Sequence, residues 1–189
     1  MKEAAIELMQ LLKSSDLITN LILAGGAVRD TLNGLDHRIS DYDLYCNIIN
    51  KIPYLTHNPV ERDLIKFLRE MNFTVTGEGH STVAATKIHR IYATKYKGIS
   101  ADLIILKGIT PQHYIDLYFD LGICECWLDT EDWDFHMTRR YKTDIADRTI
   151  TLKVKEDMTT FMVGRALSHH LPKVLKKYPG YKIKLDLPT

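Results

Sequence analysis

The sequence predicts an α+β domain, and three observations lead there. Helical stripes of apolar residues are interleaved with short runs that alternate apolar and polar side chains. The stretch from Leu21 to Cys46 reads as strand, glycine turn, short helix, loop and second strand. At 189 residues, 45% hydrophobic and 26% charged, the chain has the size and composition of one globular domain with at most a small appendage. A formal net charge of +1 creates no global field that demands nucleic acid, although a local basic surface is compatible with it.

The elements follow in order. Ile6, Leu8, Met9, Leu11 and Leu12 make a helical stripe over Glu3–Lys13. Leu21–Ala24 is a short apolar strand broken by Gly25-Gly26, and the helix after it stops near Asn33-Gly34. Leu35–Ser40 is a loop carrying His37 and Arg38, for which phosphate contact and plain solvation are both open. Asn58-Pro59 with Glu61 starts a helix whose stripe is Leu64, Phe67, Leu68 and Met71. Phe73–Thr76 reads as a strand, Gly77–Gly79 as a turn, and His80–Lys87 as another strand. Arg90–Lys95 and Ser100–Leu106 are strands around a turn at Gly98, and Pro111–Phe119 is a short helix. Arg139–Lys142 is a basic cluster, open to a nucleic-acid backbone or simply solvated, ahead of a strand at Arg148–Val154. Asp157–Tyr178 reads as one long helix that Pro172 kinks or splits. Pro179-Gly180 ends it, and Tyr181–Leu187 is a last strand or tail.

No apolar run reaches transmembrane length, and the first turn carries Lys2, Glu3 and Glu7 rather than a leader, so a cytoplasmic protein without a membrane partner is expected. Cys46, Cys124 and Cys126 sit in apolar settings and read as reduced interior thiols; Cys124-x-Cys126 lacks the second pair a metal site needs.

The chemistry concentrates around the glycine turn. Asp41 and Asp43 are two apart on a strand and so share one face. Gly25-Gly26 lets the backbone bend sharply, and the N–H groups opening the next helix suit a phosphate. Asp102 is a carboxylate inside an apolar strand, costly to bury unpaired. A metal shared with Asp41 and Asp43 would satisfy it; a strand-edge Asp in water is the plainer alternative. A second D-x-D, Asp132/Asp134, has no glycine turn before it and reads as a solvated loop or strand.

GGAVRDTLNG followed by DYD resembles the head domain of CCA-adding tRNA nucleotidyltransferases and bacterial poly(A) polymerases, members of the polymerase-β-like superfamily. The resemblance covers Leu21–Leu106 well and Phe119–Tyr178 faintly. It implies a polymerase-β-like fold, a mixed or antiparallel sheet flanked by helices. It divides the chain into a catalytic head, residues 1–155, and a helical neck-like segment, residues 156–189. The implied activity is transfer of NMP from an NTP to a hydroxyl, an RNA (tRNA-like) 3′ end above all, with loss of pyrophosphate. Mg²⁺, or Mn²⁺ in its place, would be the cofactor, held by Asp41, Asp43 and Asp102 as catalytic and metal-binding residues.

Gly25, Gly26, Arg29 and His80 are the candidate nucleotide contacts. Arg29 has a second open role, pairing with Asp30 or Asp41 to set the loop. His80 belongs to a segment similar to the family's G-x-x-HGTV, with Ser81 in place of the Gly, and an exposed structural turn is its alternative. Arg139, Arg140, Arg165 and Lys173 are the candidate RNA contacts. DLGICECWLD departs from the family's R-D-F-T-I-N-A-L, which leaves the choice of nucleotide open. Family members that mature tRNA carry a long helical body and tail beyond this point. The acceptor is therefore expected to be an exposed 3′ end, one presented by a partner, or not tRNA. Two further readings stand: a toxin- or effector-like nucleotidyltransferase acting on a protein or small-molecule hydroxyl, and a nucleotide or RNA binder without catalysis.

Overall fold

The computed structural model describes residues 1–49, 59–71, 73–79, 87–154 and 160–187; the side chains of 59, 76–79 and 160–162 lie outside the description. The expected strand at 80–87 falls almost wholly outside it, and with it His80.

The architecture is α+β. Helix α1 (Glu3–Lys13) precedes strand β1 (Ile18–Ala24), the short helix α2 (Gly26–Leu32) and strand β2 (Asp41–Ile48). Helix α3 (Pro59–Glu70) is followed by β3 (Thr74–Gly79), β4 (Ile88–Tyr96) and β5 (Ile99–Leu106). Then come α4 (Pro111–Tyr118), β6 (Cys126–Asp129), β7 (Phe135–Met137), α5 (Arg139–Asp147) and β8 (Thr149–Lys153). Helices α6 (Thr160–Arg165) and α7 (Leu171–Lys177) and strand β9 (Lys182–Asp186) complete it. Seven strands form one sheet in the order β3-β4-β5-β2-β1-β6-β7. Only β2 and β5 run parallel in it; the other pairings are antiparallel. Strands β8 and β9 make a separate parallel pair.

Strand alternation sorts the side chains to two faces. Tyr42, Leu44 and Cys46 of β2 and Ala101, Leu103 and Ile105 of β5 enter one core with Leu8, Met9 and Leu12 of α1 and Leu64 and Leu68 of α3. The intervening residues, Tyr45 of β2 and Ile104 and Leu106 of β5, face the other way. They pack with Ile22 and Ala24 of β1 under Tyr114 and Ile115 of α4. Asp41 and Asp43 share the parity of Tyr45, and Asp102 that of Ile104. All three carboxylates therefore extend the α4-covered face beyond its apolar part.

A second core joins the C-terminal helices to the segment after α4. Leu121, Ile123, Ile150 and Leu152 pack with Ala166, Leu171, Val174 and Tyr178. Residues 121–152 thus share a core with 166–178, across the expected boundary between 155 and 156. Lys177 Nζ and the Tyr178 hydroxyl both donate to Asp30, which pins α7 to α2.

Several elements differ from expectation for local reasons. Gly77–Gly79 continues β3 instead of turning, with a shift of register against β4 between Val75 and Gly77. The turn at Gly98 is a two-residue one in which Lys97 (φ 43°) also takes a left-handed conformation, the geometry that suits a tight hairpin. The basic cluster is the first turn of α5, whose Thr138 hydroxyl accepts the Tyr141 N–H at 3.2 Å. The C-terminal helix is divided, with π-type turns over Ala166–His170 between α6 and α7. Pro172, the second residue of α7, has no N–H to return to the preceding turn, so the ladder widens there.

Candidate functional site

Asp43 and Asp102 are direct partners in the parallel pairing of β2 and β5, and Asp41 stands opposite Ser100. Asp43 is half-buried, Asp102 half-buried and Asp41 exposed, its carboxylate accepting from Ser40 Oγ at 2.6 Å. Burial pushes the Asp43 carboxyl up to about 7, and the charges of Asp41 and Asp102 add to the rise, while His170 and Lys173 oppose it. Burial raises Asp102 as well, with Asp41 contributing. Asp43 and Asp102 thus face each other across β2 and β5, with Asp41 at the exposed end of the same strand face, and the cost of gathering these charges falls on Asp43.

The glycine turn closes against this edge. Gly25 has φ 77° and ψ −134°, a backbone region that side chains disfavour. A Cβ built on it would lie 3.5 Å from the Phe119 ring and 3.9 Å from Asp43 Oδ2, ordinary contacts. Backbone strain, not crowding, is thus what excludes other residues. Gly25→Ala is expected to lower stability by about 1–3 kcal/mol, read from urea unfolding at unchanged slope. A neutral result would mean the turn relaxes.

Two candidate nucleotide contacts have partners within the protein. The Gly25 N–H donates to the Cys126 carbonyl at 3.1 Å, so it holds the sheet together and is not offered to an anion. Arg29 takes the second of its two roles. It is 4% exposed, donates through Nε to Asp30 Oδ1 at 2.7 Å and through a terminal nitrogen to Cys124 Sγ at 3.1 Å. Its guanidinium lies 5.4 Å from the centre of the Tyr178 ring. Burial forces such a cation to pair, and Asp30, itself buried, is the partner.

The candidate RNA contacts divide. Arg139, Arg165 and Lys173 are exposed. Arg140 is not free: it donates to both carboxylate oxygens of buried Glu125, at 3.0 and 3.1 Å, and to Asp186 at 3.1 Å. Arg38, for which solvation was weighed against phosphate, donates at 3.4 Å to the Lys177 carbonyl. Asp132 and Asp134 are exposed, as a solvated turn requires. Cys46 and Cys126 are buried free thiols.

Sequence reasoning missed the roles of Tyr45 and Glu125 and the pairing of Asp120 with His170. Tyr45 lies beneath Asp43 in an aromatic group with Tyr114 and Phe119, at ring separations of 5.7 and 5.8 Å. Asp120 receives His170. Glu125 anchors Arg140 and Lys153. Glu125 carried a legible signal, since it interrupts an apolar run just as Asp102 does. The Asp120–His170 pair carried none, because its members are far apart in sequence.

Hard carboxylate oxygens are the donor set that Mg²⁺ and Mn²⁺ prefer. Among the described residues no three His, Cys, Asp or Glu side chains close into a ready-made metal cage. The facing pair fits instead the way Mg²⁺ is usually held, by one or two carboxylates with substrate phosphates completing the shell. Among the described residues no helix is long and apolar enough to cross a membrane.

Comparison with known proteins gives this edge its context. The model of the Gabija anti-defense 2 family matches residues 2–148. No curated protein matches. A solved structure described as a tRNA-processing enzyme (apo form I) is similar over 97% of this chain and 45% of its own, with a TM-score of 0.59 and 13% identity. A second, apo form 2, is similar over 94% of this chain and 44% of its own, with a TM-score of 0.56 and 13% identity. The chain thus spans less than half the length of either. At that identity the likeness is one of fold, and it agrees with the α+β architecture and the mostly antiparallel sheet.

Proposed function

The chain belongs to the Gabija anti-defense 2 family, and from its carboxylate edge we propose that it is a metal-dependent nucleotidyltransferase, moving NMP from an NTP to a hydroxyl acceptor with release of pyrophosphate. The observation that carries this reading is Asp43 facing Asp102 across β2 and β5, with Asp41 two residues away and the Gly25 turn against Asp43. Buried like charges are retained at a cost, and a bound cation removes that cost. The fold's likeness to a tRNA-processing enzyme agrees with this, as does the resemblance of GGAVRDTLNG and DYD to the head of CCA-adding enzymes.

Asp43 and Asp102, with Asp41, would hold Mg²⁺ or Mn²⁺. Such an ion, when bound, supplies positive charge to the oxygens that attack and leave phosphorus. Asp102 would also help draw the proton from the acceptor hydroxyl. The amides of α2 from Gly26 onward face the triphosphate tail. His80 keeps its expected nucleotide contact as part of this proposal. Arg139, Arg165 and Lys173 offer exposed positive charge to an RNA strand. The preferred acceptor is an RNA 3′ end. The family's name favours a second reading, in which the acceptor is a protein hydroxyl on a component of the Gabija defence.

Incubation with Mg²⁺, each α-labelled NTP and total RNA, then with the Gabija proteins in place of RNA, separates these. Label in RNA supports the first acceptor and label in protein the second. No label with any divalent metal, and no difference between wild type and Asp41→Ala, would overturn the enzyme assignment and leave a binding module.

A further inference from the structure

Two elements from distant parts of the chain meet beside the carboxylate edge. Asp120 follows Phe119, whose ring lies against the Gly25 turn and so close to Asp43. The Asp120 backbone is fixed from another direction, since its carbonyl accepts the Lys153 N–H at 2.8 Å. The π-type turns of Ala166–His170 swing His170 onto this residue, and its Nδ1 lies 2.5 Å from Asp120 Oδ2. The His170 side chain remains 36% exposed, and among the described residues nothing engages Nε2. The positive charges of His170 and of Lys173 on α7 both lower the Asp43 carboxyl against the rise that burial imposes. His169 stands beside His170 at a ring separation of 5.8 Å. A carboxylate on one ring nitrogen orients an imidazole and aims the other nitrogen outward.

We propose that His170, positioned by Asp120, is the general acid that protonates the departing pyrophosphate; this rests on the nucleotidyltransferase reading of the same edge. The step balances as follows. The acceptor oxygen bonds to the α-phosphorus, and the bond from that phosphorus to the bridging oxygen of the β-phosphate breaks. The electron pair stays on the bridging oxygen, which takes the Nε2 proton of His170. The acceptor's own proton leaves to water, and solvent reprotonates His170. A proton delivered to the leaving oxygen spares it a full negative charge, and the value of that delivery grows with the basicity of the leaving group. His170 is then a catalytic residue and Asp120 a positioning residue.

The test varies the leaving group. Wild type, His170→Gln and Asp120→Asn are assayed with Mg²⁺ and α-labelled NTP, on the total RNA or Gabija protein that takes label from wild type. Each is also given the β,γ-methylene and β,γ-difluoromethylene triphosphates, whose leaving groups are more and less basic. His170→Gln is expected to lower kcat by roughly 10²-fold with KM little changed. The defect should shrink with the difluoromethylene compound and widen with the methylene one. Asp120→Asn should show the same dependence, Asp120→Glu should recover part of the rate, and the double variant should be no worse than His170→Gln alone. An undiminished rate in His170→Gln, or an equal loss on all three triphosphates, overturns the proposal and leaves the nucleotidyltransferase reading standing. No transfer by wild type overturns both. Should His170→Gln fail to fold by circular dichroism, Asp120→Asn decides by the same leaving-group comparison.

Discussion

Asp43→Asn is expected to reduce nucleotidyl transfer by roughly 10³-fold or more while making the metal-free protein more stable. The two effects have one origin. Burial, with Asp41 and Asp102 close by, pushes the Asp43 carboxyl up to about 7. A carboxyl raised on folding costs nothing below the ordinary carboxylate range, where both folded and unfolded chains hold the proton. The cost grows as pH rises from about 4, because the unfolded chain ionises first, and it is complete above about 7. Asparagine has nearly the same shape and no charge to bury. In chelator its melting temperature should therefore exceed that of wild type by several degrees at pH 8, on the order of 2–4 °C for each kcal/mol. The gain should vanish at pH 4. Calorimetry across that range together with the transfer assay measures both effects. A stability loss at pH 8 would mean that Asp43 serves the fold and not a cation.

Glu125→Ala is expected to cost about 3–5 kcal/mol of stability, the usual price of breaking a buried ion pair. Glu125 is wholly buried and accepts from Thr138 Oγ at 2.7 Å, from Arg140 at 3.0 and 3.1 Å, and from Lys153 Nζ at 2.6 Å. Lys153 is itself only 2% exposed, and its other acceptor is the Asp116 carbonyl at 2.5 Å. Among the described residues, alanine leaves the ammonium buried with one neutral partner. This cluster joins β6, α5 and β8, so its loss loosens the second core beside Asp120. Lys153→Met added to Glu125→Ala should recover a large part of the loss, since it removes the stranded charge. Urea unfolding of the single and double variants checks this. Equal stability of the two would mean that water reaches Lys153.

Elements with a strong period were legible in the sequence, and those governed by distant partners were not. Helix α1 announced itself by its apolar stripe. Strands β2 and β5 did so by the carboxylates that share a face with Tyr45 and Ile104. Asp102 was legible because an apolar strand cannot bury a charge without a partner. Helix α5 was masked because its inward positions include Asp144, a buried carboxylate that accepts from Thr149 and Thr151 and interrupts the apolar stripe. Strand β7 is three residues long, too short for alternation to register. The role of Arg29 turned on Asp30 being buried beneath α7, a contact made across most of the chain. The Asp120–His170 pair likewise exists only after the π-type turns redirect a helix that the sequence reads as continuous.

At the centre stands the pairing of Asp43 with Asp102 as the seat of a divalent cation that carries the triphosphate. Crystals grown with Mn²⁺ and a non-hydrolysable NTP analogue, measured for anomalous scattering, locate that cation directly. The account predicts a manganese peak within coordination distance, about 2–2.5 Å, of carboxylate oxygens from both Asp43 and Asp102, with phosphate oxygens on its open side. Manganese and nucleotide bound elsewhere, with those two carboxylates untouched, would contradict it.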